Sequence, residues 1–445
     1  MARPLPTQPD PDLQSGLQLL RAGMFDRAEP LFRSAHGRYG DRPEILHYLA
    51  VCLSQRGAFA EAETLWRKAI AKDPSEPMLS YNLGLVARQQ GKLDEAAKRF
   101  RDTIRRQPFH IDARLALASL HVDQGRLAAA ERELAEIVAN IEKAIEQPDG
   151  DKLKPLAARC RNMLGHVLYR LGNHSTAVEV LDMAMADAGD DVPRQAQIRG
   201  DRALALSGLG EHEQAIPEAE RALALMPQNP TLNHVLGFVL YSAGRISDAM
   251  APIRNALAID PTLMPALRTL AMAQSAAGQA DEASETLQQA LRHDPRDRDA
   301  LLRLSVLHIE GKRHAAATEL LEAHLKAMPD DVRAMNNLGL ALRGLKRFDE
   351  ARRTLKRASR LAPDDPLVLT NLASVLVDLG RATEARSLHE HALRGLPNDA
   401  RLLTNYGICL SVLGEKDRAR ETLDAALAAN PASAEALEAR TSLDA

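Results

Sequence analysis

The residues best equipped for chemistry in this chain are its 14 histidines and three cysteines, and their spacing argues against it. The densest histidine stretch is HEH, His389 to His391. Residues two apart on a helix point to different sides, so this pair cannot share a metal ion. No HExxH occurs, and no carboxylate–histidine set has ligand spacing within one helix. Cys52, Cys160 and Cys409 lie far apart, without CxxC or CxxH, which removes the zinc and redox motifs and fits a reducing compartment. The serines lack a GxSxG setting. Neither GxGxxG nor GxxxxGK is present to cradle a phosphate. The histidines read as packing or solvated residues, and no catalytic residue, cofactor or metal is expected.

The bulk properties exclude further classes. The 445 residues carry a formal net charge of -3, and only 3% are aromatic. Nucleic-acid binding usually brings a basic excess and exposed aromatics. No apolar run reaches the length of a membrane span. The N-terminus, MARPLPTQPDPDLQ, has prolines and acids where a signal peptide has an apolar core, so a cytoplasmic location is expected.

What the chain does contain is a repeated sentence. YNLGLVARQQGKLDEAAKRF from Tyr81 returns as NNLGLALRGLKRFDEARRTL from Asn336. Twelve units of 34 residues begin at Pro9, Pro43, Pro77, Ile111, Ala158, Ala196, Pro230, Met264, Arg298, Val332, Pro366 and Ala400. Column 20 is alanine in every unit, from Ala28 to Ala419. Column 8 is always Gly, Ala or Ser, so two helices can approach closely there. Column 15 is glycine except at Lys312 and Lys346, and it suits the left-handed residue that ends a first helix. Column 24 is usually bulky and fills space beside the small column. Column 32 is mostly proline, which stops the second helix. Column 27 is alanine except at Thr103, Ile137 and His324.

These columns resemble the tetratricopeptide repeat, a helix–turn–helix unit, over about residues 9 to 433. The resemblance implies an all-α, right-handed superhelical solenoid of antiparallel helix pairs, with the first helix of each unit lining a concave groove. One helix pair cannot bury its apolar face alone, whereas stacked copies share a continuous core. The expected organisation is an N-terminal tail (1–8), units one to four with an extended last helix and loop (9–157), units five to twelve (158–433) and a capping helix (434–445). The second helix of unit four is expected to run from about Leu127 to Gln147, with a turn at PDGD and Pro155 preceding the next helix. The Asp349–Arg353 spacing predicts a surface ion pair.

If the repeats build a surface, function is written in the groove columns that vary. Column 6 holds Asn82, Asn337, Asn371 and Asn405, the last three in successive units. An asparagine tip both donates and accepts, so a row of them can grip an extended peptide backbone. The row resembles the asparagine ladder in the repeat region of the O-linked N-acetylglucosamine transferases. Arg333, Arg343 and Arg401 share these groove columns, against one acid, Asp378. A second patch joins Asn162, His166 and Tyr169, with His234, Phe238 and Tyr241, and reads slightly better as packing. No three successive units match the residues of chaperone-binding members. The expected function is a non-enzymatic scaffold or adaptor for protein partners, with no nucleic acid and no membrane insertion. The alternatives are the repeat region or remnant of a sulfotransferase- or glycosyltransferase-type enzyme, or a subunit of an envelope or pilus assembly machine. With 8 residues before the array and 12 after it, no catalytic domain is expected within this sequence, although a truncated product would also fit.

Overall fold

The computed structural model describes residues 10–443; the expected tail at 1–8, Pro9 and the last two residues lie outside the described residues. Twenty-five α-helices, numbered α1 (Pro11–Arg21) to α25 (Ala434–Ser442), follow one another among the described residues, with one 3-10 turn at Gly150–Leu153 and no strand. They form two compact units, one up to Ala243 and one from Gly244. Within each unit, helices pack on their sequence neighbours as antiparallel pairs, and first helices of neighbouring pairs also touch.

The repeat columns have the packing roles their residue types imply. All twelve column-20 alanines, Ala28 to Ala419, are fully buried. Column 8 packs on the bulky residue of column 24. A methyl group added at Gly339 would lie 2.4 Å from Leu355 Cγ, and one at Gly84 would lie 2.7 Å from the Phe100 ring. Interiors are close-packed, so these contacts fix the pair geometry. All twelve column-15 residues have positive φ, including Lys312 (57°) and Lys346 (60°). In the second unit, Asp297, Asp331, Asp365 and Asp399 cap the helices that follow them, each accepting from a first-turn N–H.

Several departures from the columns are explained by a partner. Ser305, the one serine in column 8, is fully buried; its hydroxyl donates to the Leu302 carbonyl at 2.7 Å and accepts from Asn337. His324, in the alanine column 27 of α18 (His314–Ala327), lies 2.9 Å from the buried carboxylate of Asp331, to which Arg298 donates twice, at 2.6 and 2.8 Å. Although burial opposes its ionisation, the bonds from Arg298 and His324 hold Asp331 far below the usual carboxylate range. Glu142 replaces the proline of column 32, and Arg161, 9% exposed, donates to it at 2.9 Å and pairs with Asp187. That anchor ties the lengthened α8 (Leu127–Ile145) to α9 (Lys154–Arg170).

Some expectations need correction. α8 ends at Ile145, within two residues of the expected end, whereas Pro155 sits inside the first turn of α9 rather than before it. Proline suits that position because its missing N–H would have no helical partner there. Asp349 pairs with Arg352 at 3.4 Å instead of Arg353, and Glu350 pairs with Arg347 at 2.7 Å. These are i,i+3 contacts, which bring side chains together as readily as i,i+4.

Candidate functional site

In the second unit, the candidate row is carried by α17 (Arg298–Glu310), α19 (Val332–Gly344), α21 (Pro366–Asp378) and α23 (Ala400–Val412), with α19 touching α17 and α21, and α21 touching α23. The three asparagines differ in what their amides do. Asn337 is half-buried and donates to Ser305 Oγ at 3.0 Å. Asn371 is buried, 4% exposed, and donates to Asn336 Oδ1 at 2.8 Å. Both therefore tie first helices together. Asn405 is half-buried, and its amide makes no hydrogen bond among the described residues. Arg343 is engaged by both oxygens of Asp378. Arg333 and Arg401 are exposed and make no ion pair among the described residues. Of the residues the sequence singled out, Arg333, Arg401 and the Asn405 amide are left open to a partner.

Asn82 belongs to the first unit, on α5 (Pro77–Gln89), where its amide donates to the Met78 carbonyl at 2.8 Å beside a cavity of about 280 Å³. The other asparagines of the row belong to the second unit. His389 and His391 share no metal: His389 is fully buried, while His391 lies 3.0 Å from Asp364. No cluster of three metal-ligating side chains occurs among the described residues. No helix there is long and apolar enough to cross a membrane.

The first unit contains a larger cavity, of about 530 Å³, lined from five successive first helices: α5, α7 (Ile111–Asp123), α9, α11 (Val192–Gly208) and α13 (Pro230–Ser242). On its wall Asp201 accepts from Asn162 Nδ2 at 2.7 Å and faces His166 Nδ1 at 2.9 Å. Burial pulls the His166 pKa down, but the bond and charge of Asp201 outweigh it and leave it above the ordinary histidine value. Sequence reasoning picked out His166 and Asn162 and missed Asp201. The available signal was its place one repeat on, 35 residues after His166. Ser119 also lines this cavity, but its hydroxyl accepts from Arg88 at 2.9 Å and has no hydrogen bond to His166. The dyad therefore has no attached nucleophile.

Two models described as tetratricopeptide repeat match the chain, one at residues 81–145 and 201–263. The other matches residues 19–81, 274–338, 308–375 and 376–443. The chain belongs to the tetratricopeptide-repeat family, and its fold is an all-α array of that repeat. Its fold is similar to a chain of the APC/C hetero-tetramer Cut9–Hcn1, with a TM-score of 0.50 and 13% identity over 96% of this chain and 95% of that one. It is likewise similar to a tetratricopeptide repeat protein from Parabacteroides merdae, with a TM-score of 0.50 and 18% identity over 57% of this chain and 100% of that one. No curated protein matches the sequence. Repeats of this family generally mediate protein–protein interaction, and proteins built from them are generally non-enzymatic scaffolds.

Proposed function

We propose that the chain is a cytoplasmic, non-enzymatic scaffold or adaptor that holds an extended, acidic segment of a protein partner along the first-helix face of the second unit. The observation that carries this reading is a group of unsatisfied side chains on that face, among them Arg333 and Arg401, exposed and without an ion pair among the described residues, and the unengaged amide of Asn405. Exposed guanidinium groups recognise carboxylates with two parallel donors. The Asn405 amide supplies a contact to the partner's backbone that does not depend on its sequence. Asn337, Asn371 and Arg343 contribute by holding the first helices in place beneath the segment; Asn82 belongs to the first unit and has no part in this reading.

Site-directed photocrosslinking tests the reading. A benzophenone side chain at position 405 should capture a partner from the source cell's extract. The same group at position 353, on the second helix of unit ten, should not. Capture from position 353 alone would place recognition on the opposite face.

A further inference from the structure

We propose that the cavity of the first unit is a binding site for a cationic side chain, a lysine or arginine presented by a partner, with Asp201 as its counter-ion. This cavity belongs to the first unit and shares no residue with the second-unit face.

The first support is the charge left over when the lining residues are paired. Each guanidinium lining the cavity already faces a carboxylate. Arg88 meets Asp123 at 2.6 Å, Arg159 meets Asp112 at 3.3 Å and Arg194 meets Asp191 at 3.0 Å. Asp201 is the exception. Its partners are a neutral amide, Asn162, and a histidine, His166. The carboxylate is 14% exposed, so its charge is poorly solvated where it stands. A partly buried carboxylate without a permanent cation favours one strongly, because water screens the attraction little there.

Shape is the second support. Leu85, Leu115, Met163, Leu232 and Val235 share the lining with these polar groups. Lysine and arginine carry an apolar stem behind a charged head, which matches a pocket with apolar walls and one carboxylate. Gly200, which also lines the cavity, adds no side chain to fill it.

His166 makes the site proton-linked. Protonated, it supplies the cation that Asp201 lacks; neutral, it leaves the carboxylate to the ligand. The groups acting on it are Asp201, which favours its charged form, and Arg170, which opposes it; Tyr169 packs beside its ring with centroids 6.5 Å apart. A bound cation must therefore lower the His166 pKa, and a protonated His166 must weaken the cation, by the same factor.

The test uses the full chain with Nα-acetyl-arginine amide, Nα-acetyl-lysine amide and Nα-acetyl-glutamate amide as probes. The Cε1–H resonance of His166, identified by its loss in His166→Gln, is titrated with pH in the presence of each. The two cations should move its midpoint downward, the larger shift telling guanidinium from ammonium, and the glutamate should not. Asp201→Asn should abolish the response. A midpoint unmoved by either cation, or moved as far by the glutamate, overturns the proposal. Should Asp201→Asn fail to fold, probe affinity in the parent chain decides. It should fall by about tenfold per pH unit below the His166 midpoint, and a flat profile would overturn the site.

Discussion

Asn337 and Ser305 meet across two first helices, with the Asn337 amide 3.0 Å from a serine hydroxyl that is itself fully buried. Ser305 stands where the other units carry glycine or alanine, so this polar pair replaces an apolar contact. Removing either partner should destabilise the second unit by about 1 kcal/mol, and the two effects should not add. A double-mutant cycle of Asn337→Ala and Ser305→Ala, read by urea unfolding, should give a coupling of about 0.5–1.5 kcal/mol. A coupling of zero would mean that the bond contributes nothing.

Lys312 and Lys346 hold the left-handed conformation that ten glycines hold in the other units. A side chain with a Cβ costs about 1–2 kcal/mol in that region. Lys312→Gly and Lys346→Gly should therefore each raise stability, less the extra chain entropy that glycine loses on folding. A thermal melt should rise for each variant and further for the pair. A fall in both would contradict the role given to column 15.

His389 occupies column 24 of α22 (Ala382–Gly395), where neighbouring units carry Leu355 and Leu423. It is fully buried, neither ring nitrogen has a hydrogen-bond partner, and burial pulls its pKa down to about 4. An unfolded histidine titrates near ~6.5. The unfolded chain therefore binds this proton first, so stability is lost as pH falls from about 6.5 to about 4 and is intact above that window. The loss due to this one group is about 3 kcal/mol. His389→Leu should match or exceed the parent's stability at pH 7 and gain on it steadily toward pH 4. Parallel stability curves for the two chains over that window would refute the assignment.

The segment between α8 and α9 should be the first point of proteolysis. Gln147 to Asp149 and Asp151 to Lys152 are exposed, and Asp149 turns the chain with a φ of 68°. Lys152 makes only an exposed i,i+3 pair with Asp149. Exposed loop tips are preferred sites of nicking. Brief trypsin treatment should cut at Lys152, as mass spectrometry of the fragments would show, because Pro155 protects the bond after Lys154. First cleavage within residues 196–297 would contradict this.

The helix pairs were legible because steric demands act within one unit. A close crossing admits only a small residue at column 8, a left-handed turn selects glycine at column 15, and the pairing of Gly339 with Leu355 follows from one repeat's own geometry. The polar contacts between units were less legible, because each joins residues about one period apart. Asp123 follows Arg88, Asp201 follows His166, Asn371 follows Asn336 and Asp378 follows Arg343, each by 35 residues. Read unit by unit, the column presents Asn371 as a groove residue and says nothing of what its amide meets. That amide is taken up by Asn336 on the preceding first helix, which the column alone does not reveal.

The central claim is that the second unit's first-helix face does the binding, through groups the fold leaves unsatisfied. The most direct measurement is the affinity of a captured partner for the parent chain and for the Arg333→Ala, Arg401→Ala, Asn405→Ala triple variant, at low and high salt. Each lost contact should cost about 0.5–1.5 kcal/mol. The account predicts affinity at least tenfold weaker for the variant, with an unchanged circular dichroism spectrum, and a salt dependence that is strong in the parent and reduced in the variant because exposed charges are screened. A folded triple variant that binds the partner as tightly as the parent, with the same salt dependence, would contradict it.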